Sequence, residues 1–205
     1  MNAALIYKFM SKLYDLLDIV YFCDEEASPR KAVYEAVNEK DCILDLCTGT
    51  ATNAIKIAKG KPGVKLIAVD RSKEMLKVAS GKLKKEHLKN VRLYAMDATK
   101  LKFKSNCFDK VLLSLVLHEL EDDLADKILK EASRVLKEGG ELIVMEWEPV
   151  KKGWRKFLFM PIPMLEPKSY RAFIKKDLHK YFKRYGLEVV SITHCSYTKV
   201  LRIRK

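Results

Sequence analysis

The sequence predicts an α/β protein with a mostly parallel sheet, on the basis of three observations. Short apolar runs that suit buried strands alternate with amphipathic runs of helical length. Three consecutive apolar runs end in an aspartate, at Asp45, Asp70 and Asp97. The last runs, 187–194 and 197–203, alternate like two strands joined by a short turn. At 205 residues, the chain is long enough for one domain with a three-layer α/β core.

The apolar pattern gives the order of the elements. We expect seven strands, at 42–47, 64–69, 91–96, 107–114, 141–147, 187–194 and 197–203. We expect helices at 4–22, 29–38, about 50–60, 73–86, 122–137 and 170–185.

Local chemistry supports several of the helix ends. Pro29 suits the first turn of its helix, and residues 59–63 end the next helix with lysines, glycines and a proline. Ser72 is expected to cap the helix at 73–86, and Asp122 or Asp123 the helix at 122–137. Gly139 and Gly140 are expected to stop that last helix.

The stretch 43–51, Ile-Leu-Asp-Leu-Cys-Thr-Gly-Thr-Ala, predicts a strand, a tight turn and the start of a helix. Such a unit forms a ligand crevice at the carboxyl edge of a parallel sheet. Neither the dinucleotide pattern G-x-G-x-x-G nor a Walker loop occurs here. A carboxylate at Asp45 suits a ligand that carries positive charge beside its nucleoside, as S-adenosylmethionine does.

This stretch resembles motif I of the class I S-adenosylmethionine-dependent methyltransferases, D/E-x-G-x-G-x-G. Asp45 and Gly49 match the pattern, and Cys47 and Ala51 replace its outer glycines. The variant, and the segment Tyr14-Asp15-Leu16-Leu17, resemble ubiquinone and menaquinone C-methyltransferases. The resemblance implies a Rossmann-like three-layer fold with strand order 3-2-1-4-5-7-6 and an antiparallel strand 7.

The resemblance also implies the residues that bind S-adenosylmethionine. The turn would hold the methionine part, Asp70 the ribose and Asp97 the adenine. Asp70 lies 25 residues after Asp45, near the roughly 20 residues expected for a ribose-binding carboxylate. The full implied set is Asp45, Leu46, Cys47, Thr48, Gly49, Thr50, Ala51, Asp70, Arg71, Met75, Asp97, Ala98 and Ser114. Met75 suits core filling equally well.

The expected activity is methyl transfer by in-line displacement, which leaves S-adenosylhomocysteine, to a small or apolar acceptor such as a quinone precursor or lipid. His118 is a candidate proton acceptor, and packing or backbone hydrogen bonding is the alternative. Tyr14 is a second candidate catalytic residue, and it would lie in a helical lid at 1–40. Residues 41–147 would bind the cofactor, and 148–205 would form the acceptor side.

The net charge of +13 is concentrated late in the chain. Residues 148–205 carry 15 Lys/Arg and 4 Asp/Glu. Together with the aromatic and cationic segment 151–163, this suits contact with an anionic membrane surface, although a solvated lysine-rich face explains the charge equally well. An RNA or other nucleic-acid methyltransferase and a non-catalytic cofactor-binding subunit remain alternatives.

Five scattered cysteines, without C-x-x-C or a Cys/His cluster, favour reduced thiols and no metal site. No apolar run approaches 18 residues, and charges interrupt the N-terminal apolar residues, so neither a membrane span nor a signal peptide is expected. We expect a cytoplasmic monomer or homodimer, with peripheral contact at the membrane as an open alternative.

Overall fold

The computed structural model of the chain describes residues 28–149 and 168–205. Tyr14, the expected helix at 4–22 and the segment 151–163 lie outside the described residues. The strands are β1 Cys42–Leu46, β2 Lys65–Asp70, β3 Val91–Ala95, β4 Phe108–Ser114, β5 Leu136–Trp147, β6 Glu188–His194 and β7 Thr198–Arg204. The described helices are α1 Pro29–Glu35, α2 Thr52–Gly60, α3 Lys73–Lys85, α4 Asp122–Val135, α5 Lys168–Phe173 and α6 Leu178–Lys183.

The strands form one seven-stranded sheet in the order β3-β2-β1-β4-β5-β7-β6. The pairs from β3 to β5 are parallel, while β7 runs antiparallel to both β5 and β6. The predicted fold class, strand order and antiparallel strand 7 are confirmed. Because β1 to β5 are parallel, their carboxyl ends meet at one edge of the sheet.

Alternate residues of the central strands face two separate cores, because side chains in a strand point alternately to opposite faces. Leu44 and Leu46 pack on the side of α4 and α6, while Ile43 packs on the side of α1, α2 and α3. The inner strands are buried on both faces, as expected for a parallel sheet covered by helices. The three-layer arrangement follows from this burial.

The junction between α4 and β5 differs from the prediction. The helix ends at Val135, and β5 begins at Leu136 instead of 141. The glycines therefore lie within the strand, where the pairing with β4 shifts register between Phe108 and Lys110. Gly140 is required there, since a Cβ would lie 2.9 Å from the Lys137 carbonyl oxygen.

The start of α4 also differs from the prediction. Its N-cap is Glu121, whose side chain makes no capping hydrogen bond, and Asp122 and Asp123 lie in the first turn. Acidic residues in a first turn interact favourably with the helix dipole. The two aspartates therefore support the helix start electrostatically, although neither is the predicted cap.

The single helix predicted at 170–185 is wrong, because the structure has two short helices, α5 and α6. Asp177 separates them: its side chain accepts a hydrogen bond from the Lys180 N–H (3.2 Å), which caps α6. The apolar positions still face the core, which is why the helical pattern continues through the break. No helix in the described ranges is long and apolar enough to span a membrane.

Candidate active site

A cavity of about 540 Å³ lies at the carboxyl ends of the parallel strands, from the end of β3 to the end of β5. Most of the predicted site residues line it: Asp45, Cys47, Thr48, Gly49, Thr50, Asp70, Arg71, Met75, Asp97, Ala98, Ser114 and His118. Leu46 and Ala51 do not line it, because their side chains are buried in the two cores. Their predicted cofactor contacts stay predictions.

The turn after β1 has three left-handed residues at alternate positions: Cys47 (φ 54°), Gly49 (φ 55°) and Ala51 (φ 60°). Only the middle residue is a glycine, the type that adopts this conformation without strain. The Thr48 N–H donates to the Val69 carbonyl oxygen (3.0 Å), which ties the turn to β2. The turn therefore keeps the backbone of a glycine-rich loop although two of its residues carry side chains.

Asp70 joins the turn to the next helix. One of its carboxylate oxygens accepts from the Gly49 N–H (2.8 Å), and the other accepts from the Ser72 N–H (2.8 Å). Ser72 in turn caps α3 through the Met75 N–H (3.2 Å), as predicted. Each carboxylate oxygen has a further lone pair, so Asp70 can still accept hydrogen bonds from a vicinal diol.

Asp97 follows β3 and is exposed at the end of the cavity. Its Oδ1 accepts from the Thr99 N–H (2.9 Å) and from Thr99 Oγ1 (2.8 Å). These hydrogen bonds, the backbone one first, lower the pKa of the Asp97 carboxyl. Asp97 is therefore a fixed, ionised acceptor at this end of the cavity.

Asp45, near the end of β1, is the buried acid of the cavity. Only 2% of its surface is exposed, and Thr48 Oγ1 donates to its Oδ2 (2.5 Å). Burial raises the pKa of Asp45 to about 7; the charge of Asp70 adds to this, while Thr48 and the Arg30 guanidinium oppose it. A buried carboxyl with a raised pKa is stabilised as a carboxylate by a cationic ligand, so Asp45 suits a positive group in the cavity.

The β4–β5 end of the cavity holds a buried His–Glu pair. His118 Nδ1 lies 2.5 Å from Glu146 Oε2, and both side chains are at most 1% exposed. Glu146 Oε1 accepts from the Leu117 N–H (2.8 Å) and the Val116 N–H (3.2 Å). A carboxylate only accepts hydrogen bonds, so we assign the His118 Nδ1 as the nitrogen that donates to Glu146 Oε2.

The surroundings of this pair are mostly apolar. Leu115, Val116, Leu120 and Trp147 line the same end of the cavity. The His118 ring also lies edge-on to the Tyr170 ring of α5, with centroids 5.9 Å apart. This end therefore suits an apolar or aromatic ligand that presents one polar group to the His118 side.

The surroundings of the cavity cysteine, Cys47, disfavour its thiolate form. Burial, with Asp70 and Asp45 nearby, raises the pKa of the Cys47 thiol to about 12, whereas thiolates are the reactive form. Within residues 28–149 and 168–205, no three His, Cys, Asp or Glu side chains are grouped so that they could hold a metal ion. The absence of a metal site stays a prediction.

Comparison with known proteins identifies the family. Residues 43–140 match the model of a methyltransferase domain. The chain is 30% identical to a demethylmenaquinone methyltransferase of Bacillus cereus over 210 residues, covering 91% of this chain and 87% of that protein. The chain belongs to the class I S-adenosylmethionine-dependent methyltransferases. Its cofactor is S-adenosylmethionine, and the sequence-based family assignment is confirmed.

Solved structures share the fold. A S-adenosylmethionine-dependent methyltransferase from Aquifex aeolicus superposes with a TM-score of 0.73 at 20% identity, covering 99% of this chain and 98% of that one. The [4+2]-cyclase SpnF superposes with a TM-score of 0.69 at 16% identity, covering 86% and 80%. At these identities the likeness shows the fold alone, and a cyclase on this fold shows that activity must be measured.

The cavity fits this cofactor. S-Adenosylmethionine has an adenine, a ribose diol and a cationic methionine end, and Asp97, Asp70 and Asp45 lie in that order along the sheet edge. Burial of Asp45 matches the end of the molecule that carries the charge. The assignment of each aspartate to its part of the cofactor remains our proposal.

Two residues with charged side chains that shape the site were not predicted from the sequence: Arg30, which lines the cavity, and Glu146, which lies behind His118. Arg30 precedes the motif by 15 residues, in a helix predicted only from Pro29 and its apolar pattern. Glu146 interrupts the buried strand β5, where an acidic residue among apolar ones was the available signal. Its partner His118 was predicted, but the pairing depends on β4 and β5 being neighbours.

Proposed function

We propose that the chain methylates a small aromatic acceptor of the hydroquinone type, such as a quinone precursor. The observation that carries this is the similarity to demethylmenaquinone methyltransferases over 91% of the chain. The apolar β4–β5 end of the cavity agrees with it. When bound, S-adenosylmethionine supplies an activated methyl group on a positively charged sulfur.

The chain's own residues would hold the cofactor and acceptor in line and exclude water. A hydroquinone must lose a proton for its oxygen or ring carbon to become strongly nucleophilic. Glu146 holds the His118 Nδ1–H, which makes Nε2 the basic nitrogen of the ring. We propose that the His118 Nε2 accepts the acceptor's hydroxyl proton.

Two further parts of the proposal concern residues outside the described ranges. Tyr14 is proposed to contact the acceptor from a helical lid at 1–40. Residues 151–163 are proposed to contact an anionic membrane surface, where an apolar quinone would be found. We propose one domain over 1–205, with the cofactor at 41–147 and the acceptor side at 148–205.

The direct test is methyl transfer from S-adenosylmethionine labelled with tritium in its methyl group. We would offer a short-chain demethylmenaquinone in its reduced and oxidised forms, and total RNA at the same ionic strength. We expect label in the reduced quinone, with a product heavier by one CH₂ group. Labelled RNA, or equal labelling of the oxidised quinone, would contradict the proposal.

A variant separates catalysis from binding. His118→Gln should retain cofactor affinity by calorimetry but lower turnover of the quinol about 100-fold or more, because general-base catalysis contributes about that much. If no acceptor is labelled although the cofactor binds, the acceptor class is wrong. In that case a non-catalytic role of the domain gains support.

A further inference from the structure

Arg30 is held at the cavity by a chain of hydrogen bonds that links three elements. It is the second residue of α1, and its Nη1 donates to Asn53 Oδ1 (2.7 Å). Asn53 in α2 is 5% exposed, and its Nδ2 donates to Ser114 Oγ (2.8 Å) at the end of β4. The guanidinium therefore has a fixed place on the cavity wall between the ends of β1 and β4.

The charge of Arg30 acts at the same end of the cavity as Asp45. Its guanidinium is near enough to lower the pKa of the Asp45 carboxyl, against the effect of burial. Arg71, the other arginine of the cavity wall, follows Asp70 at the end of β2. The Asp45 end thus offers a cation beside an anion, and Arg71 supplies positive charge elsewhere.

This arrangement matches the methionine end of the cofactor, which carries an ammonium group and a carboxylate on one carbon. A buried carboxylate at Asp45 suits the ammonium group. A guanidinium is the side chain that best binds a carboxylate, because its planar N–H groups form two parallel hydrogen bonds. With five donors, one guanidinium can hold the Asn53 amide and a carboxylate together.

We propose that Arg30 binds the carboxylate of the methionine part of S-adenosylmethionine, while Asp45 faces its ammonium group. Arg30 then selects cofactors by the presence of that carboxylate. Asn53 is a positioning residue, since it holds the guanidinium in place through Ser114. This inference concerns the cofactor alone and is independent of the acceptor proposed above.

The test compares S-adenosylmethionine with decarboxylated S-adenosylmethionine, which lacks only the carboxylate, by calorimetry. Hydrogen bonds to a charged group stabilise by about 1.5–3 kcal/mol, so the wild-type chain should bind the decarboxylated compound about 10- to 150-fold more weakly. In Arg30→Met, affinity for S-adenosylmethionine should fall by about the same factor. Affinity for the decarboxylated compound should stay equal or improve slightly, because a repelling cation is gone.

Arg71→Met is the matched control, since it removes an arginine from the same cavity. It should change the affinity for both compounds by a similar factor and leave their ratio unchanged. Arg30→Lys should give an intermediate ratio, because lysine keeps the charge without the planar fork. Asn53→Ala tests the positioning role of Asn53, because it removes the hydrogen-bond partner of Arg30. It should weaken the discrimination between the two compounds, but less than Arg30→Met does.

Binding of the decarboxylated compound also reports correct folding, because it uses the same cavity. If Arg30→Met binds both compounds equally more weakly, Arg30 has a structural role and the proposal is wrong. A wild-type ratio retained in Arg30→Met overturns it as well. So does a wild-type chain that binds both compounds equally.

Discussion

At the scale of single residues, the site depends on a few groups in unusual surroundings. Asp45 is an acid with almost no contact with water, and its pKa is raised to about 7 mainly by burial. Gly49 is a residue whose backbone is left-handed, with open space where a side chain would be. Each residue leads to a prediction that depends on it alone. The prediction for Asp45 concerns cofactor binding, and the prediction for Gly49 concerns both stability and cofactor binding.

Cofactor binding should release a proton from Asp45. In the free chain its pKa is about 7, and a bound ammonium group lowers it, so below pH 7 binding converts the acid to its carboxylate. Affinity should therefore rise about tenfold from pH 5.5 to pH 7. Calorimetry at pH 6 in two buffers with different ionisation enthalpies would count the released protons.

The matched variant for this prediction is Asp45→Asn, which keeps the size of the side chain but cannot ionise. It should bind the cofactor more weakly at pH 7, and the pH dependence below 7 should disappear. Equal wild-type affinity at pH 5.5 and pH 7 would show that Asp45 is already ionised in the free chain, or that it does not face the cationic end.

Gly49→Ala should destabilise the protein without any clash. A Cβ at this position meets nothing within 4 Å, but the φ of +55° is unfavourable for alanine by about 1–2 kcal/mol. We expect the free energy of unfolding in urea to fall by about that amount. Cofactor affinity should fall too, because the methyl group would stand at the cavity wall.

Gly81→Ala is the control for Gly49→Ala. Gly81 lies within α3, and a Cβ there also meets nothing within 4 Å. Alanine in a helix interior is about 0.5–1 kcal/mol more favourable than glycine, so this variant should be more stable than the wild type. If the two variants change the free energy of unfolding in the same direction, the conformational explanation is wrong.

At the scale of elements, β5 carries two buried glutamates with different surroundings. Glu141 begins the inner part of the strand and pairs with Lys110 of β4 (2.7 Å) and Arg202 of β7 (2.8 Å). Glu146 ends the strand and pairs with His118. Glu141 joins three strands at the sheet edge opposite to the cavity. Glu146 holds the loop after β4 in place beside the cavity.

Glu146→Gln should lower turnover with little effect on cofactor affinity. The glutamine oxygen can still accept from the Leu117 N–H, but its amide donates to Nδ1 and so favours the tautomer with the proton on Nε2. That tautomer cannot accept a proton at Nε2. We expect kcat to fall about 100-fold, as for other residues that orient a catalytic histidine, while KM for the cofactor changes little.

The control is Glu119→Gln, which removes a half-exposed carboxylate 4.0 Å from the His118 Nε2. It should lower kcat by much less than Glu146→Gln. Nitrogen chemical shifts of the His118 ring would report the tautomer in each variant. If Glu146→Gln turns over as fast as the wild type, or if the tautomer of His118 is unchanged, the proposed proton transfer by this pair is wrong.

The elements also show which parts of the structure the sequence determines locally. The turn after β1 and the Ser72 cap were predicted, because both depend on neighbouring residues. The break at Asp177 was missed, because the apolar pattern continues through it. The pairs Arg30–Asn53 and His118–Glu146 join residues 23 and 28 positions apart, so they become visible only when the sheet is assembled.

At the scale of the whole molecule, the strand order was predicted through the family resemblance and is confirmed. The apolar pattern alone gives the strands and their sequence along the chain, but not which strands are neighbours in the sheet. Charge is distributed unevenly along the chain. Residues 148–205 carry 15 Lys/Arg and 4 Asp/Glu, whereas residues 1–147 carry 25 and 23 and are nearly neutral. The sequence alone does not decide between a membrane, RNA and solvent as the partner of this charge, since all three suit a basic surface.

We expect the chain to bind vesicles that contain anionic lipid, and to be released as salt is raised from 50 to 300 mM. Each basic residue near an anionic surface contributes about 1 kcal/mol, so three reversals should abolish binding. The exposed lysines of and before α6 are suitable: Lys175→Glu, Lys180→Glu and Lys183→Glu together. Cosedimentation measures the bound fraction.

The matched control reverses three exposed lysines on α3, Lys73, Lys77 and Lys84, and so makes the same change in net charge on the other half of the chain. If residues 148–205 face the membrane, the triple variant on α3 should keep most of its vesicle binding. Equal losses in the two triple variants would mean that total charge alone decides. Stronger retention of RNA than of vesicles at the same ionic strength would favour a nucleic-acid partner instead.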